Sequence, residues 1–281
     1  MADEAGKMTL CDVKEFSKVL LKKGYIEGLI YGNVSEAQAR VNTDLLTEIL
    51  EIKPEKWKKV IHQGRLDFTA GEDITQVLKT QVNNSCLWRL QYFGENSIEE
   101  AAQAQVIGNF VESPFFLEMR TNQQLGYIVW GGAASAEKSS YFYFIIQSGN
   151  HPAEYLANQA EQFSLTLPDS LRQLPEEDFL VIKNSVIEKI KEKPTSIAEQ
   201  AGKYYTLAFD YNGNFNRNEE LIQAVESLTR EKSVEVLSTV LANETLERAT
   251  VLLYAKEHKV GENVKSSFDS INQWKNTRKY Q

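Results

Sequence analysis

Arg120 and Tyr127 fall in the run Arg-Thr-Asn-Gln-Gln-Leu-Gly-Tyr-Ile-Val, where a polar helix end passes through Gly126 directly into an apolar strand. That layout projects a guanidinium and a phenol near one element boundary. Both are strong hydrogen-bonding groups, and the glycine lets backbone or ligand approach where a Cβ would obstruct. The local pattern also admits a plainer reading, an arginine on a solvated helix end and a tyrosine capping a core strand.

Hydrolytic metal chemistry finds little support elsewhere in the chain. A zinc centre of that kind needs three N, O or S ligands and an open position for water, usually with a carboxylate as base. The histidines are His62, His151 and His258, far apart in sequence. The nearest approach to a paired-histidine motif is Tyr254-Ala-Lys-Glu257-His258, with tyrosine where the first histidine would stand. Val251 to Tyr254 moreover reads as a strand, whereas two histidines reach one face at that spacing only on a helix. No Gly-x-Ser-x-Gly occurs, and neither Cys11 nor Cys86 has a histidine nearby in sequence. The two cysteines lack C-x-x-C spacing and are expected to be reduced thiols.

At 281 residues, with 42% hydrophobic and 25% charged, the chain can form two domains or one large one. A net charge of -8 and a pI near 5.2 argue against nucleic acid or an anionic membrane as partner. No apolar run reaches the roughly 18 residues of a membrane span, and Met1-Ala-Asp-Glu-Ala-Gly has no signal-peptide pattern. Matches to the glycosylation sequon at Asn33, Asn83 and Asn243 are taken as chance.

The elements that must position Arg120 and Tyr127 alternate between helical and strand periods. A helix is predicted over 12–23, then a strand from Tyr25 to Tyr31. Ser35 and Gln38 cap a helix whose Val41, Leu45, Ile49 and Ile52 recur until Pro54, and Lys53 to Lys59 reads as a surface connection. Cys86, Trp88, Leu90 and Tyr92 share one strand face. Ser97 and Glu100 cap a helix to about Val111, and Gly126 to Gly131 is a strand. Tyr141 to Ile146 is aromatic on both faces, which predicts a sheet centre covered on both sides, with Trp88, Leu90, Phe142, Phe144 and Ile146 buried. A helix striped by Leu156, Ala160, Phe163 and Leu167 should end or kink at Pro168. Further helices are expected between Pro175 and Pro194 and near 196–209, 219–228 and 231–242, before a strand at 248–255. The fold class is α+β, a mostly antiparallel sheet with helices on one face.

Phe116-Leu-Glu-Met119-Arg120 followed by Gln124-Leu125-Gly126-Tyr127 resembles the Phe-x-x-Leu-Arg-x-x-x-Gln-Leu-Gly-Tyr segment in the C-terminal half of the insulysin/pitrilysin branch of M16 zinc metallopeptidases. Met119 replaces the usual leucine, a volume-conserving change. Gly32-Asn33, Phe144-Ile-Ile-Gln147-Ser148, Tyr204-Tyr205 and Asn214-Phe215-Asn216-Arg217 are similar to the same region and follow in family order. The resemblance implies the metallohydrolase-domain fold of that family. Residues 1–67 would be the end of its third homologous domain and 68–281 its fourth. Such enzymes carry their zinc motif, His-x-x-Glu-His, in the N-terminal half, so this chain is expected to hold no cofactor, with zinc in the catalytic half of the parent. That half and peptide substrates are the implied partners. The resemblance makes Arg120, Gln124, Gly126 and Tyr127 substrate-binding, with Arg120 and Tyr127 supporting the transition state from the wall opposite the zinc, in a chain inactive alone. A soluble chain is expected, cytoplasmic in preference to periplasmic. The alternative is a stand-alone, non-catalytic binding or scaffold module of the same fold.

Overall fold

The computed structural model describes residues 5–20, 22–24, 26–51, 53–54, 68–136 and 139–279. The chain divides into two compact units, one of residues 1–64 with 193–215, the other of 65–192 with 216–281. The strands are β1 (Lys23–Gly24), β2 (Lys53–Pro54), β3 (Glu72–Lys79), β4 (Ser85–Glu95), β5 (Ile128–Ala136), β6 (Ser139–Ser148) and β7 (Glu247–Tyr254). The helices are α1 (Leu10–Leu20), α2 (Glu36–Leu50), α3 (Ile98–Phe116), α4 (Ala153–Gln173), α5 (Glu176–Lys191), α6 (Ile197–Tyr205), α7 (Arg217–Ser227), α8 (Arg230–Leu241) and α9 (Ile271–Asn276). Among the described residues no helix is long and apolar enough to cross a membrane.

In the first unit, α2 begins as its sequence dictates. The Ser35 hydroxyl accepts from the Gln38 amide while the Gln38 side chain accepts from the Ser35 amide at 2.9 Å, closing the capping box. Both α1 and α2 are amphipathic, yet neither buries a residue. Val13, Phe16, Val19 and Leu20 on α1 and Val41, Leu45 and Ile49 on α2 all lie exposed. The strand expected from Tyr25 to Tyr31 does not form over 26–31, and Tyr25 is outside the described residues. A two-residue parallel pair, β1 with β2, stands beside that stretch instead. The Lys53 to Lys59 connection and His62 fall largely or wholly outside the described residues.

The second unit is built on a five-stranded sheet in the order β3-β7-β4-β6-β5, parallel only between β3 and β7. This is the expected α+β arrangement, with α3 packed beneath β5 and β6 and α4 beneath β4 and β7. The core holds the aromatic pairs Phe115–Phe144 and Phe93–Phe142, with ring centroids 4.9 and 5.0 Å apart. Phe142, Phe144 and Ile146 are buried as the strand pattern requires.

The parity of β4 is the reverse of the expectation. Trp88 is 40% exposed and Leu90 only half-buried, while Leu87, Arg89, Gln91 and Phe93 turn inward. The polar pair is tolerated because it is satisfied. Gln91 donates to the Val240 carbonyl at 2.6 Å, and Arg89 donates to Glu161 at 2.7 Å. Glu161 also accepts from Arg248 at 2.6 Å, and Arg248 bonds Asp73 with two donors, which ties β3, β4, β7 and α4 together. Burial, with the Arg248 guanidinium close by, pulls the Arg89 pKa down to about 10. Among the described residues the helices pack on one side of the sheet, and Tyr141 and Ile145 remain half-buried on the other.

Strand β3 was not expected at all, since Glu-Asp-Ile-Thr-Gln-Val-Leu-Lys alternates weakly and carries charge at both ends. Nor does Pro168 end α4, which continues to Gln173. Leu156, Ala160, Leu167 and Leu171 are buried on both sides of the proline, so packing outweighs the missing hydrogen bond.

Candidate functional site

Helix α3 does not stop near Val111 but runs on to Phe116 and then widens into a π-helical turn, Leu117–Asn122, that carries Arg120. Such turns accommodate one residue more than an α-turn and recur at functional sites. Met119 and Leu125 are buried and pin this one to the core. The turn closes through Gln123 N–H to the Glu118 carbonyl at 3.0 Å and Leu125 N–H to the Met119 carbonyl at 2.9 Å. Between them Gln124 adopts the left-handed region, with φ of 53°, a conformation that costs a non-glycine residue on the order of 1 kcal/mol. The Glu118 carboxylate accepts from Gln123 at 2.9 Å and Asn122 at 2.8 Å, and those two bonds hold its pKa below the usual range.

The chain then enters β5 through Gly126, where a Cβ would lie 1.8 Å from the Gln147 carbonyl oxygen. No other residue fits this approach of β5 to the end of β6. The direction of Tyr127 is thereby fixed by the sheet.

Arg120 and Tyr127 come together at this junction. The guanidinium donates to the Tyr127 carbonyl, and its central carbon lies 4.4 Å from the centroid of the Tyr127 ring and 5.2 Å from that of Phe116. Tyr127 is 81% exposed and Arg120 partly so. The plainer reading, with the tyrosine capping the core, does not hold. Gln124 is exposed on the same turn, whereas Gly126 is half-buried against Gln147. Behind the turn lies a hollow of 430 Å³ with Leu117, Met119, Gln123, Gln159 and Phe163 among its walls; Arg120 and Tyr127 do not line it. Sequence reasoning missed two members of this constellation: Phe116, the second ring under the guanidinium, and Glu118, the clasp of the turn. The spacing of Glu118 to Asn122 and Gln123 was the available signal.

The described histidines have other occupations. His151 stacks on Tyr155 with centroids 4.8 Å apart, and His258 Nδ1 lies 2.8 Å from the Ser85 hydroxyl, which accepts the Ala255 amide at 2.9 Å. Among the described residues no group of three His, Cys, Asp or Glu side chains is arranged to hold a metal ion. Burial pushes the Cys86 thiol up, away from the reactive thiolate form.

Comparison with known proteins gives a consistent kinship. A family profile described as PQQ synthase PqqF-like, C-terminal lobe domain 4, matches residues 106–205, which include the π-turn, Arg120 and Tyr127. Human insulin-degrading enzyme is 25% identical over 252 residues, covering 88% of this chain and 25% of that protein. Among solved structures, pitrilysin superposes with a TM-score of 0.76 at 20% identity, over 98% of this chain and 30% of the other. A peptidase M16 inactive domain from Pseudomonas fluorescens superposes with a TM-score of 0.61 at 16% identity, over 90% of this chain and 59% of its own. The chain spans about a quarter of the length of the curated relatives it matches.

Proposed function

We propose a role that proceeds from membership of the M16 peptidase family, to whose C-terminal half this chain belongs: it supplies part of the wall that holds a peptide against a zinc centre carried by the N-terminal half of the parent enzyme. The observation that carries this is the exposed Arg120–Tyr127 stack, held in place on one side by a turn pinned through buried Met119 and Leu125 and on the other by the end of a sheet. An extended peptide presents a row of carbonyls. A guanidinium and a phenol at a fixed junction can take one of them and meet the charge that develops on it in the transition state. Gln124, on the same exposed turn, is a further polar contact, and Gly126 sets the direction of Tyr127.

In this proposal the parent acts on short peptides in a soluble compartment, cytoplasmic in preference to periplasmic, and the chain alone has neither peptidase activity nor stoichiometric zinc. Residues 1–67 and 68–281 correspond to the third and fourth family domains. The test is reconstitution with the matching N-terminal half. Arg120→Ala and Tyr127→Phe should lower kcat/KM by up to about 2.7–4 kcal/mol of transition-state stabilisation while zinc content and melting temperature stay nearly unchanged. Variants that melt early yet cleave normally per folded molecule would overturn the assignment. A second reading, a non-catalytic binding module, is favoured by the resemblance to an M16 inactive domain. It predicts peptide binding by this chain with no gain of cleavage on mixing.

A further inference from the structure

Two glycines bring α3 against the edge of the sheet. At Gly108 a Cβ would lie 2.5 Å from the Ala133 Cβ and 2.7 Å from the Ala133 amide nitrogen, so helix and strand meet where a side chain on the helix would not fit. Gly132, on β5, is paired with Tyr143 of β6, and the absence of a side chain there leaves room for the phenol, whose oxygen would stand 3.4 Å from a Cβ at that position. Beside this contact is a hollow of 190 Å³ bordered by Gln105, Asn109 and Glu112 of α3, Gly132 of β5, Tyr143 of β6 and Lys189 of α5, with buried Val186 also among its walls.

Gln105, Asn109 and Glu112 recur along one stripe of α3 at helical spacing. Among the described residues, neither carboxamide of that stripe nor the Tyr143 phenol has a hydrogen-bond partner in the protein. A fold ordinarily pairs its partly covered polar groups with one another or with backbone, so three unpaired ones around a single hollow point to a ligand. Glu112 and Lys189 stand 3.8 Å apart with both side chains exposed, too long for a hydrogen bond and, at the surface, a weak pair that a ligand can part. Burial and the Glu112 charge push the Tyr143 pKa up, which keeps the phenol a neutral hydroxyl able to donate and accept.

We propose that this hollow is a binding site for a small zwitterion, a free α-amino acid. Its 190 Å³ equals about six waters at ~30 Å³ each, and falls short of the roughly 300 Å³ at which pockets for drug-sized ligands begin. The occupant is therefore of the size of glycine, alanine or serine. Charge complementarity selects the class. A carboxylate and an ammonium side by side suit a molecule that carries the opposite charges on adjacent carbons, whereas a simple cation or anion meets a like charge next to its partner. The α-ammonium group donates to Glu112 and to the Tyr143 oxygen, and the α-carboxylate accepts from Lys189 and from the carboxamides of Gln105 and Asn109. The site shares no residue with the Arg120–Tyr127 junction and stands independently of the peptide-holding role.

The test is titration of the full chain with L-alanine at neutral pH, followed by saturation-transfer NMR and calorimetry, against ethylamine and propionate, which each keep one of its charges. The parent should bind alanine saturably, with each analogue about tenfold weaker because one set of charge-assisted contacts is missing. Glu112→Gln and Lys189→Gln, at exposed positions, should each weaken alanine about tenfold at unchanged melting temperature. Asn109→Leu, which puts an apolar side chain into the hollow, should abolish binding. Signals that rise linearly with alanine and never saturate, or saturable binding that survives all of these substitutions, would overturn the site. Propionate binding as tightly as alanine and indifferent to Glu112→Gln would make Lys189 a simple anion site and overturn the zwitterion assignment.

Discussion

Gly126→Ala tests the junction that aims Tyr127. Gly126 is not among the residues in the left-handed region, so its glycine is not demanded by backbone conformation. On chain entropy alone an alanine at a compatible position stabilises by about 0.4–1 kcal/mol. Against that stands a new Cβ 1.8 Å from the Gln147 carbonyl oxygen and 2.9 Å from its carbon, where real Cβ contacts essentially never fall under 3.0 Å. The start of β5 must move away by more than an ångström. That opens the Ile128–Gln147 end of the ladder, and two lost bonds at about 0.5–1.5 kcal/mol each outweigh the entropic gain. The expected net loss is about 1–2 kcal/mol in denaturant melts, or roughly 2–8 °C in melting temperature for a unit of this size. Tyr127 swings out of contact with Arg120 at the same time, so kcat/KM of the reconstituted enzyme should fall with the variant still folded. An alanine variant as stable as the parent, or more so, would show that the backbone relaxes freely there and that Tyr127 is not aimed by the sheet.

Phe144→Ala should cost about 3–5 kcal/mol by denaturant melt, since the ring is 1% exposed and packs at a tilt against Phe115; Trp88→Ala, at 40% exposure, should cost well under half as much, and the reverse order would invalidate the parity of β4. Glu161→Ala leaves the two inward guanidinium groups of Arg89 and Arg248 facing each other without their shared acceptor, with an expected loss of about 3 kcal/mol; adding Arg89→Leu should recover part of it, and no recovery would mean that packing rather than charge is lost. The depressed pKa of Glu118 makes its contribution to the turn fully present above the unfolded value, near 4.5, and lost as pH falls through the lower folded value. Protection factors of the Gln123 and Leu125 amides, taken relative to intrinsic exchange at each pH, should therefore fall in that acid window, and Glu118→Gln should abolish that fall.

Much of the architecture was legible because local chemistry and tertiary fate agree. The Ser35–Gln38 and Ser97–Glu100 caps start helices where the residue types say they should. The apolar runs of β6 and β7 lie within a residue or two of their expected bounds. The failure at β4 has a clear cause. A residue's periodicity tells which neighbours share its face, but not which face the rest of the protein covers. Cys86, Trp88, Leu90 and Tyr92 do share a face of β4, and it is the open one. Arg89 and Gln91 go inward because partners distant in sequence, Glu161 and the Val240 carbonyl, satisfy them. At the site, the association of Arg120 with Tyr127 was readable from the motif. The π-helical turn, the Phe116 platform and the contact of Gly126 with Gln147 depend on long-range packing and were not.

The apolar faces of α1 and α2 govern how the chain behaves as a colloid. Nine large aliphatic and aromatic side chains on those two helices stand in solvent, and what keeps molecules apart is the net charge of -8. Solubility is then a contest between self-repulsion and sticky surface. Repulsion is lost in strong salt, where screening shortens its range to a few ångströms, and again near pH 5.2, where the charge vanishes. Handling this chain in dilute, mildly alkaline buffer keeps the repulsion in control; acid or sulfate hands it to the helices.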